Sequence, residues 1–354
     1  MKIKVLSTML ALCLCALSPT LLSSCAGSGS KPVSPSPSPD SEIETDEPPM
    51  ELAEGDYISY VSINDGKCWA VAGLNAENGA LRVEIPEKYR GLPVVAISSE
   101  AFASSIHLRS IELPNSIKYI GNNAFDGCSN LESINIPESL EYLGPQAFDG
   151  CGKLPVTEYN GALYLGSESA PYTVLISAKS TDIDGVCTIH NDTKIIYGAA
   201  FDHCTEIDRI IIPNGIRYVG VGAFEKCYEL VFTTHESVKY LGNESNPYLV
   251  CVGVEERSDS VSYTIHEDTR IIAPAAFFGC KRLETVNIPN GLKTIGEYAF
   301  VDCSAIKRIE FDRISLWAII DTEDFKNTLF VENSEVDTNE MLRDTHQGYV
   351  WIRQ

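Results

Sequence analysis

Basic residues are scarce in this chain, which has 27 lysines and arginines against 49 aspartates and glutamates and a formal net charge of −22 at pH 7. Lysine and arginine are nowhere gathered into a stripe. Proteins bind nucleic-acid phosphates through such clusters. We therefore expect no nucleic-acid partner.

Signatures of catalysis and of metal binding are missing as well. The sequence has no phosphate-binding loop, G-x-S-x-G elbow or H-E-x-x-H motif, and no C-x-x-C or H-x-x-x-H spacing that suggests zinc. Ser, Asp, Glu and His are all present, so the residue types that a hydrolase needs are available. However, almost every polar residue falls at an outward position of a repeated pattern. We expect no enzyme activity, no catalytic residue, no cofactor and no metal site.

Long apolar runs are absent except at the N-terminus, where two lysines precede Val5–Leu17 and Leu-Ser-Ser-Cys ends at Cys25. This order is typical of a secretory signal. Ser18-Pro19 interrupts the run, and a membrane helix needs about 20 apolar residues. The site resembles bacterial lipoprotein signals, which implies cleavage before Cys25 and lipidation of its thiol. An ordinary signal peptide is the alternative.

Residues 1–24 are thus expected to be a signal peptide, and their removal takes away two lysines and no acid, leaving a net charge of −24. Residues 25–50 are rich in Ser, Pro and acid, with SPSPSPD at Ser34–Asp40. Such a composition cannot form a core and predicts an extended spacer. A Pro-rich recognition motif is the alternative, but basic flanks are missing.

The remainder of the chain repeats itself. Leu108–Asn130 reads LRSIELPNSIKYIGNNAFDGCSN, and Leu131–Lys153 reads LESINIPESLEYLGPQAFDGCGK. YLGSESAPY at Tyr164 and TIHNDTKII at Thr188 recur in similar form at Tyr240 and Thr264. An Ala-Phe step marks the register at Phe102, Phe125, Phe148, Phe201, Phe224, Phe277 and Phe300. Self-similarity at a fixed period indicates a solenoid.

Each unit has a simple physical interpretation. Ile111-Glu112-Leu113 alternates as a short half-buried strand does, and Pro114 ends it. Gly121 permits a tight bend, and Phe125 and Cys128 return to the core at the next corner. One turn cannot bury its own apolar residues, so stacked turns must share a core.

The pattern resembles the BspA-like leucine-rich repeat family, whose units read roughly LxxIxIPxxIxxIGxxAFxxC. Matching stretches begin at Leu108, Leu131, Ile207 and Leu283, and the TIH segments match without the proline. The resemblance covers about Val83 to Phe311. It implies a leucine-rich repeat solenoid at the cell surface, in a family associated with adhesion and host or partner binding, without catalytic residues.

We predict a β-rich leucine-rich repeat solenoid with short helical turns, in about ten turns of roughly 23 or roughly 30 residues. Residues 51–107 would form an N-terminal cap, with a hairpin at Asn64-Asp65-Gly66, and the first turn. Repeats would fill 108–311, and 312–354 would be a C-terminal cap or tail. The longer turns would carry protruding hairpins. Strands are expected to centre on residues 84, 112, 135, 158, 188, 211, 234, 264, 287 and 310.

Nine cysteines remain outside the signal peptide and the lipidation site. Six of them follow the repeat Phe by three positions: Cys128, Cys151, Cys204, Cys227, Cys280 and Cys303. Parallel neighbours in register keep Cβ atoms about 5 Å apart, farther than the roughly 3.8 Å of a disulfide, so we expect buried free thiols, with disulfides between turns as the alternative. His190 and His266 lie three turns apart, too far to share a metal ion.

One column of outward residues is the candidate binding face: Glu84, Glu112, Asn135, Glu158, Thr188, Ile211, Thr234, Thr264, Asn287 and Glu310. Its acidic ends either discourage edge pairing or favour a basic partner. We expect a lipid-anchored surface protein that binds a protein partner, such as a host surface or extracellular-matrix protein. The alternative is a glycan-binding or glycan-processing accessory of the cell envelope, for which four tyrosines are candidate platforms: Tyr164, Tyr172, Tyr240 and Tyr248.

Replacing Cys25 with alanine should release the protein from the membrane fraction, because the acylated thiol would be lost. Fractionation of bacteria that express Cys25→Ala measures this. Cys13→Ala, which removes a thiol inside the apolar run, should remain with the membrane. Equal retention of both variants would contradict a lipid on Cys25.

Overall fold

The computed structural model describes residues 52–53, 57–74, 82–179, 183–255, 260–313, 315–322, 325, 329–332, 342 and 348–354. The predicted signal peptide, lipidation site and spacer lie outside the described residues. Among the described residues, no helix has the length and apolar character needed to cross a membrane.

The described part of the chain is built from 28 short strands. The strands are β1 (Leu52–Ala53), β2 (Ile58–Ile63), β3 (Cys68–Leu74), β4 (Arg82–Glu84), β5 (Lys88–Tyr89), β6 (Leu92–Ile97), β7 (Ser110–Glu112), β8 (Tyr119–Ile120), β9 (Ser133–Ile134), β10 (Tyr142–Leu143), β11 (Thr157–Tyr159), β12 (Ala162–Leu165), β13 (Val174–Ala178), β14 (Gly185–Thr188), β15 (Ile195–Ile196), β16 (Ile207–Ile211), β17 (Tyr218–Val219), β18 (Thr233–His235), β19 (Val238–Leu241), β20 (Val250–Val254), β21 (Ser262–Thr264), β22 (Ile271–Ile272), β23 (Thr285–Ile288), β24 (Thr294–Ile295), β25 (Arg308–Phe311), β26 (Leu316–Ile320), β27 (Leu329–Glu332) and β28 (Val350–Arg353).

Each of the shorter turns contributes two strands, and the first strands of successive turns stack in parallel. The stacks are β1-β4-β7-β9, β14-β16 and β21-β23-β25, which we call the first, second and third ladder. Val83 and Ile111 lie in register and are fully buried, because alternate side chains of a strand face the core. All ten predicted centres fall in or beside a strand, which confirms the solenoid of about ten turns.

The two longer turns depart from the prediction. β11 pairs antiparallel with β12, and β12 with β13, while β13 joins β15 in parallel. β18, β19, β20 and β22 repeat this arrangement. The two hairpins are therefore built into the sheets of second strands instead of protruding, and they divide the ladder into three. We call the first ladder together with the hairpin that follows it the first block. The second ladder and its hairpin are the second block.

The corners carrying the Ala-Phe step are turns, and the described residues contain no α-helix. Phe102 N–H donates to Ala124 O of the next turn at 2.8 Å, whereas Ala103 N–H donates back to Glu100 O at 3.0 Å. Residues two before and two after every repeat Phe have positive φ, as Asn123 (53°) and Gly127 (72°) show. Left-handed residues interrupt a right-handed helix, which is why the predicted helical turns do not form.

The repeat phenylalanines form columns at these corners. The Phe125 ring stacks between Phe102 and Phe148, with centroids 5.2 and 5.5 Å away. Phe224 is only half-buried, since the following turn has no Ala-Phe corner. Phe148 faces a similar gap but is 9% exposed, and the Tyr197 hydroxyl accepts its N–H at 3.4 Å.

The cysteines confirm the prediction of free thiols. All nine described cysteines are free, and all but Cys280 are buried. The thiols of Cys128, Cys151 and Cys227 donate to the carbonyl of the repeat Phe one turn earlier, at 3.1, 3.1 and 3.0 Å. The thiol thus satisfies a corner carbonyl while filling the core.

Both ends of the stack are closed by added strands. Asn64, Asp65 and Gly66 have φ of 51°, 50° and 80° and connect β2 to β3, which confirms the predicted hairpin. β3 pairs with β6, and β1 with β4. At the other end β28 pairs antiparallel with β24 and β26.

Turns of different blocks also pack against each other, which the sequence did not predict. The outward residues of the second strands are buried, among them Tyr119, Tyr142 and Tyr218. The rings of Tyr142 and Tyr218 lie 5.0 Å apart, and the Tyr218 hydroxyl donates to the Glu297 carboxylate at 2.8 Å. Burial raises the pKa of Glu297 to about 7.

Phe125→Ala should lower the free energy of unfolding by about 3–5 kcal/mol, as truncation of a buried phenylalanine does. Phe224→Ala should cost clearly less, because that ring is only partly buried. Urea unfolding of both variants measures the difference. Equal losses would contradict the gap beside Phe224.

The buried Glu297 should make stability depend on pH. Its folded pKa, about 7, exceeds the roughly 4.5 of the unfolded chain, so its contribution is greatest below pH 4.5 and is lost as the pH rises to 7. Glu297→Gln should therefore gain roughly 3 kcal/mol relative to wild type between pH 4.5 and 8. The exposed Glu229→Gln should gain nothing over that interval, and equal behaviour of the two variants in urea unfolding would contradict the burial of an acid.

Candidate binding groove

The structure brings the predicted face together only in parts. Glu84 pairs with Glu112 in the first ladder, and the Asn135 side chain bonds to Leu113 N and O at 2.7 Å. The second ladder pairs Thr188 with Ile211. The third pairs Thr264 with Asn287 and Asn287 with Glu310.

Two predicted members do not belong to a ladder. Glu158 faces Leu163 across the first hairpin, and Thr234 faces Lys239 across the second. The position after Ile211 is taken instead by Gly242, which forms a parallel bridge to Ile211. The prediction of one continuous column is therefore wrong, because the first strand of each longer turn pairs with the next strand of its own hairpin instead of stacking on the preceding turn.

A groove of about 990 Å³ lies over the outward face of the first ladder. Its opposite wall is the tip of the first hairpin, residues 166–171. Four carboxylates line it, from Glu84, Glu87, Glu112 and Glu168, and no lysine or arginine does. Arg82, which pairs with Glu112, is the nearby counter-charge. The groove is therefore acidic and open to solvent on one side.

One wall of the groove is the edge of a sheet. β9 is the last strand of the first ladder. Elsewhere the amide after a first strand donates to the next turn, as Ile85 does to Glu112 O at 2.9 Å and Ile189 to Ile211 O at 3.1 Å. The corresponding Ile136 N–H has no acceptor among the described residues. Such an edge offers backbone groups to another chain.

The second hairpin closes the equivalent edge in its own block. Ile212 N–H donates to Gly242 O at 2.9 Å, and the Asn243 side-chain amide donates to Ile212 O at 2.7 Å and to Asn214 Oδ1 at 2.9 Å. These bonds tie the tip of the second hairpin to β16. The second ladder consequently has a main-chain partner where the first has an open groove.

The first hairpin has serine where the second has asparagine. Ser167 corresponds to Asn243 in the duplicated sequence, and its shorter side chain bonds within the tip, to Ser169 Oγ and Ala170 N, both at 3.1 Å. Glu138 stands in the place of Asn214. A difference at these two positions thus removes the side-chain bonds of the tie between tip and ladder. The duplication made this difference visible in the sequence, but its meaning required the ladder geometry.

A second, smaller cavity of about 340 Å³ lies over the third ladder. Its polar lining includes His235, Glu236, His266 and Asp312. His266 Nδ1 accepts the Asp268 N–H at 3.2 Å, which fixes this ring as part of a turn. Among the described residues, no group of three or more His, Cys, Asp or Glu side chains could hold a metal ion.

The candidate tyrosine platforms are used inside the hairpins. Tyr164 and Tyr240 are fully buried, and their hydroxyls accept the N–H of His190 and His266 at 3.3 and 3.1 Å. Burial raises the pKa of both phenols. Tyr248 stacks on His266 with centroids 3.7 Å apart. These rings pack, and the hydroxyls satisfy amides of the turns that follow β14 and β21.

Comparison with known proteins agrees with this architecture. The model of the BspA type leucine-rich repeat region matches six copies over residues 91–170, 181–248 and 256–342. The chain therefore belongs to the BspA-type leucine-rich repeat family. No curated protein matches it significantly.

Several solved structures are similar to this chain. A leucine-rich repeat protein of T. pallidum is 21% identical over 73% of this chain and 91% of its own length, with a TM-score of 0.33. One from Bacteroides ovatus is 23% identical over 72% and 70%, with a TM-score of 0.32. A leucine rich cell surface protein of Faecalibacterium prausnitzii is 19% identical over 74% and 94%, with a TM-score of 0.29.

Proposed function

We propose that this chain is a surface-anchored bacterial lipoprotein whose solenoid binds a basic segment of another protein. Leucine-rich repeat scaffolds generally mediate protein interactions, and the segment ending at Cys25 supports an anchor. A partner on a host surface, in the extracellular matrix or on a neighbouring cell would be reached across the spacer of residues 25–50.

The acidic groove is the observation that carries the proposal. Four carboxylates converge there without a basic side chain in the lining. Buried area alone does not select a partner, but complementary charge steers association and disfavours partners of like charge. The formal charge of −22 for the whole chain adds to this field. A segment rich in lysine or arginine is therefore the matching ligand.

The glycan alternative rested on four tyrosines, which pack within the hairpins. Tyr164 and Tyr240 are buried. Tyr172 and Tyr248 stack on His190 and His266, with ring centroids 3.8 and 3.7 Å apart. The acidic groove lined by Glu84 and Glu112 also lacks an aromatic residue.

Binding of a short fluorescein-labelled peptide with lysine at every second position tests the proposal. The full-length protein should bind it with an affinity that falls as salt is added. Replacing Glu84, Glu112 and Glu168 with glutamine should weaken binding roughly tenfold, since each exposed ion pair contributes about 0.2–1 kcal/mol.

A matched control replaces three exposed glutamates outside the groove, Glu100, Glu206 and Glu229, with glutamine and removes the same charge. This control should bind within about threefold of wild type, because none of its carboxylates lines the groove and exposed charges outside it are screened by salt. An equal loss in both triple variants, or no binding of the peptide to wild type, would overturn the groove as the site.

A further inference from the structure

We infer that the basic segment binds in an extended conformation, as a strand added to the free edge of β9. This inference rests on the proposed function and specifies how the groove is used. The groove has the free edge of β9 as one wall and the acidic face of the first ladder as its floor. A strand paired with β9 would extend the ladder, so its outward side chains would stand on the same face as the carboxylates of Glu112 and Glu84.

The edge is kept open by the chain that follows it. In the second block Val231 N–H donates to Asp208 O at 2.8 Å, so the next turn begins to pair with β16. The corresponding residue in the first block is Pro155, which has no N–H to donate. β11 then pairs with β12 and leaves β9 without a neighbour on this side.

The second block shows which kind of group fits such an edge. There the chain's own Gly242 supplies the carbonyl for Ile212 N–H and forms a parallel bridge to Ile211. The same position beside Ile136 and Asn135 has no bridge in the first block. A main-chain carbonyl from a partner would complete the first ladder as Gly242 completes the second.

The negative charge of the groove determines which side chains the added strand should have. Side chains of a strand alternate between the two faces of its sheet, so every second residue would stand on the outward face, beside Asn135 and in line with Glu112 and Glu84. Lysine or arginine at alternate positions fits this face and the flanking Glu87 and Glu168. Residues 25–50 contain five acids and one lysine, and a second copy of the chain is equally acidic, so both are repelled.

Backbone methylation of the lysine peptide separates strand addition from charge attraction. Two variants are needed, one methylated on the amides of the odd residues and one on those of the even residues, because a strand pairs through one edge only. Strand addition predicts that one variant binds roughly tenfold more weakly, or worse, while the other stays near the unmodified peptide.

The outcomes distinguish the two proposals. If both methylated peptides bind like the unmodified one, strand addition is overturned, while the acidic groove stands. Equal weakening of both variants would also contradict pairing through one edge. If the unmodified peptide does not bind at all, the proposed function fails first.

A variant of the protein tests the same edge from the other side. Ser167→Asn combined with Glu138→Asn gives the first hairpin the residues that tie the second tip to β16. The tip should then occupy the edge of β9, and binding of the lysine peptide should fall roughly tenfold. Glu138→Asn alone, which removes the same charge but cannot supply the tie, should bind like wild type. Undiminished binding by the double variant would overturn the inference.

Discussion

Every turn of this protein depends on the next one for its backbone hydrogen bonds. In a ladder of parallel strands the inward residues direct N–H and C=O toward the following turn, so a turn without a neighbour leaves these groups unpaired. β1 and the hairpin of β2 and β3 cover one end, and β28 covers the other. Beside the longer turns, single acceptors satisfy backbone N–H groups in the same way. They are the hydroxyls of Tyr164 and Tyr240 and the carbonyl of Gly242. The edge of β9 is left open.

The same constraint explains where the repeat is strict. A Cβ at Gly121 would lie 2.5 Å from Ser99 N of the preceding turn, so only glycine fits between stacked backbones. Tyr197 occupies the corresponding position after the first hairpin. Its side chain is buried, and its hydroxyl accepts the Phe148 N–H. Ala273 stands in the equivalent place after the second hairpin, beside the half-buried Phe224.

Local features of the fold could be predicted from the sequence, and contacts between distant turns could not. The period of the repeat and the alternation of apolar and polar residues indicated the turns, and the turn residues around Asp65 indicated the N-terminal hairpin. Nothing in one repeat indicates that Tyr142 meets Tyr218, because that contact joins corresponding positions of different blocks. For the site, neighbours within one ladder, such as Glu84 and Glu112, were predicted together. Thr234 was misplaced because periodicity alone cannot show that β18 folds back on β19.

The two hairpins differ, since one is tied to its ladder and the other leaves an open edge. Amide hydrogen exchange of Ile136 and Ile212, measured by NMR on the unliganded protein, reports this difference. Ile212 should exchange more slowly, because its amide is bonded to Gly242 O, whereas Ile136 has no such acceptor among the described residues. Equal protection of the two amides would mean that the edge of β9 is already paired and that the first ladder has no open edge.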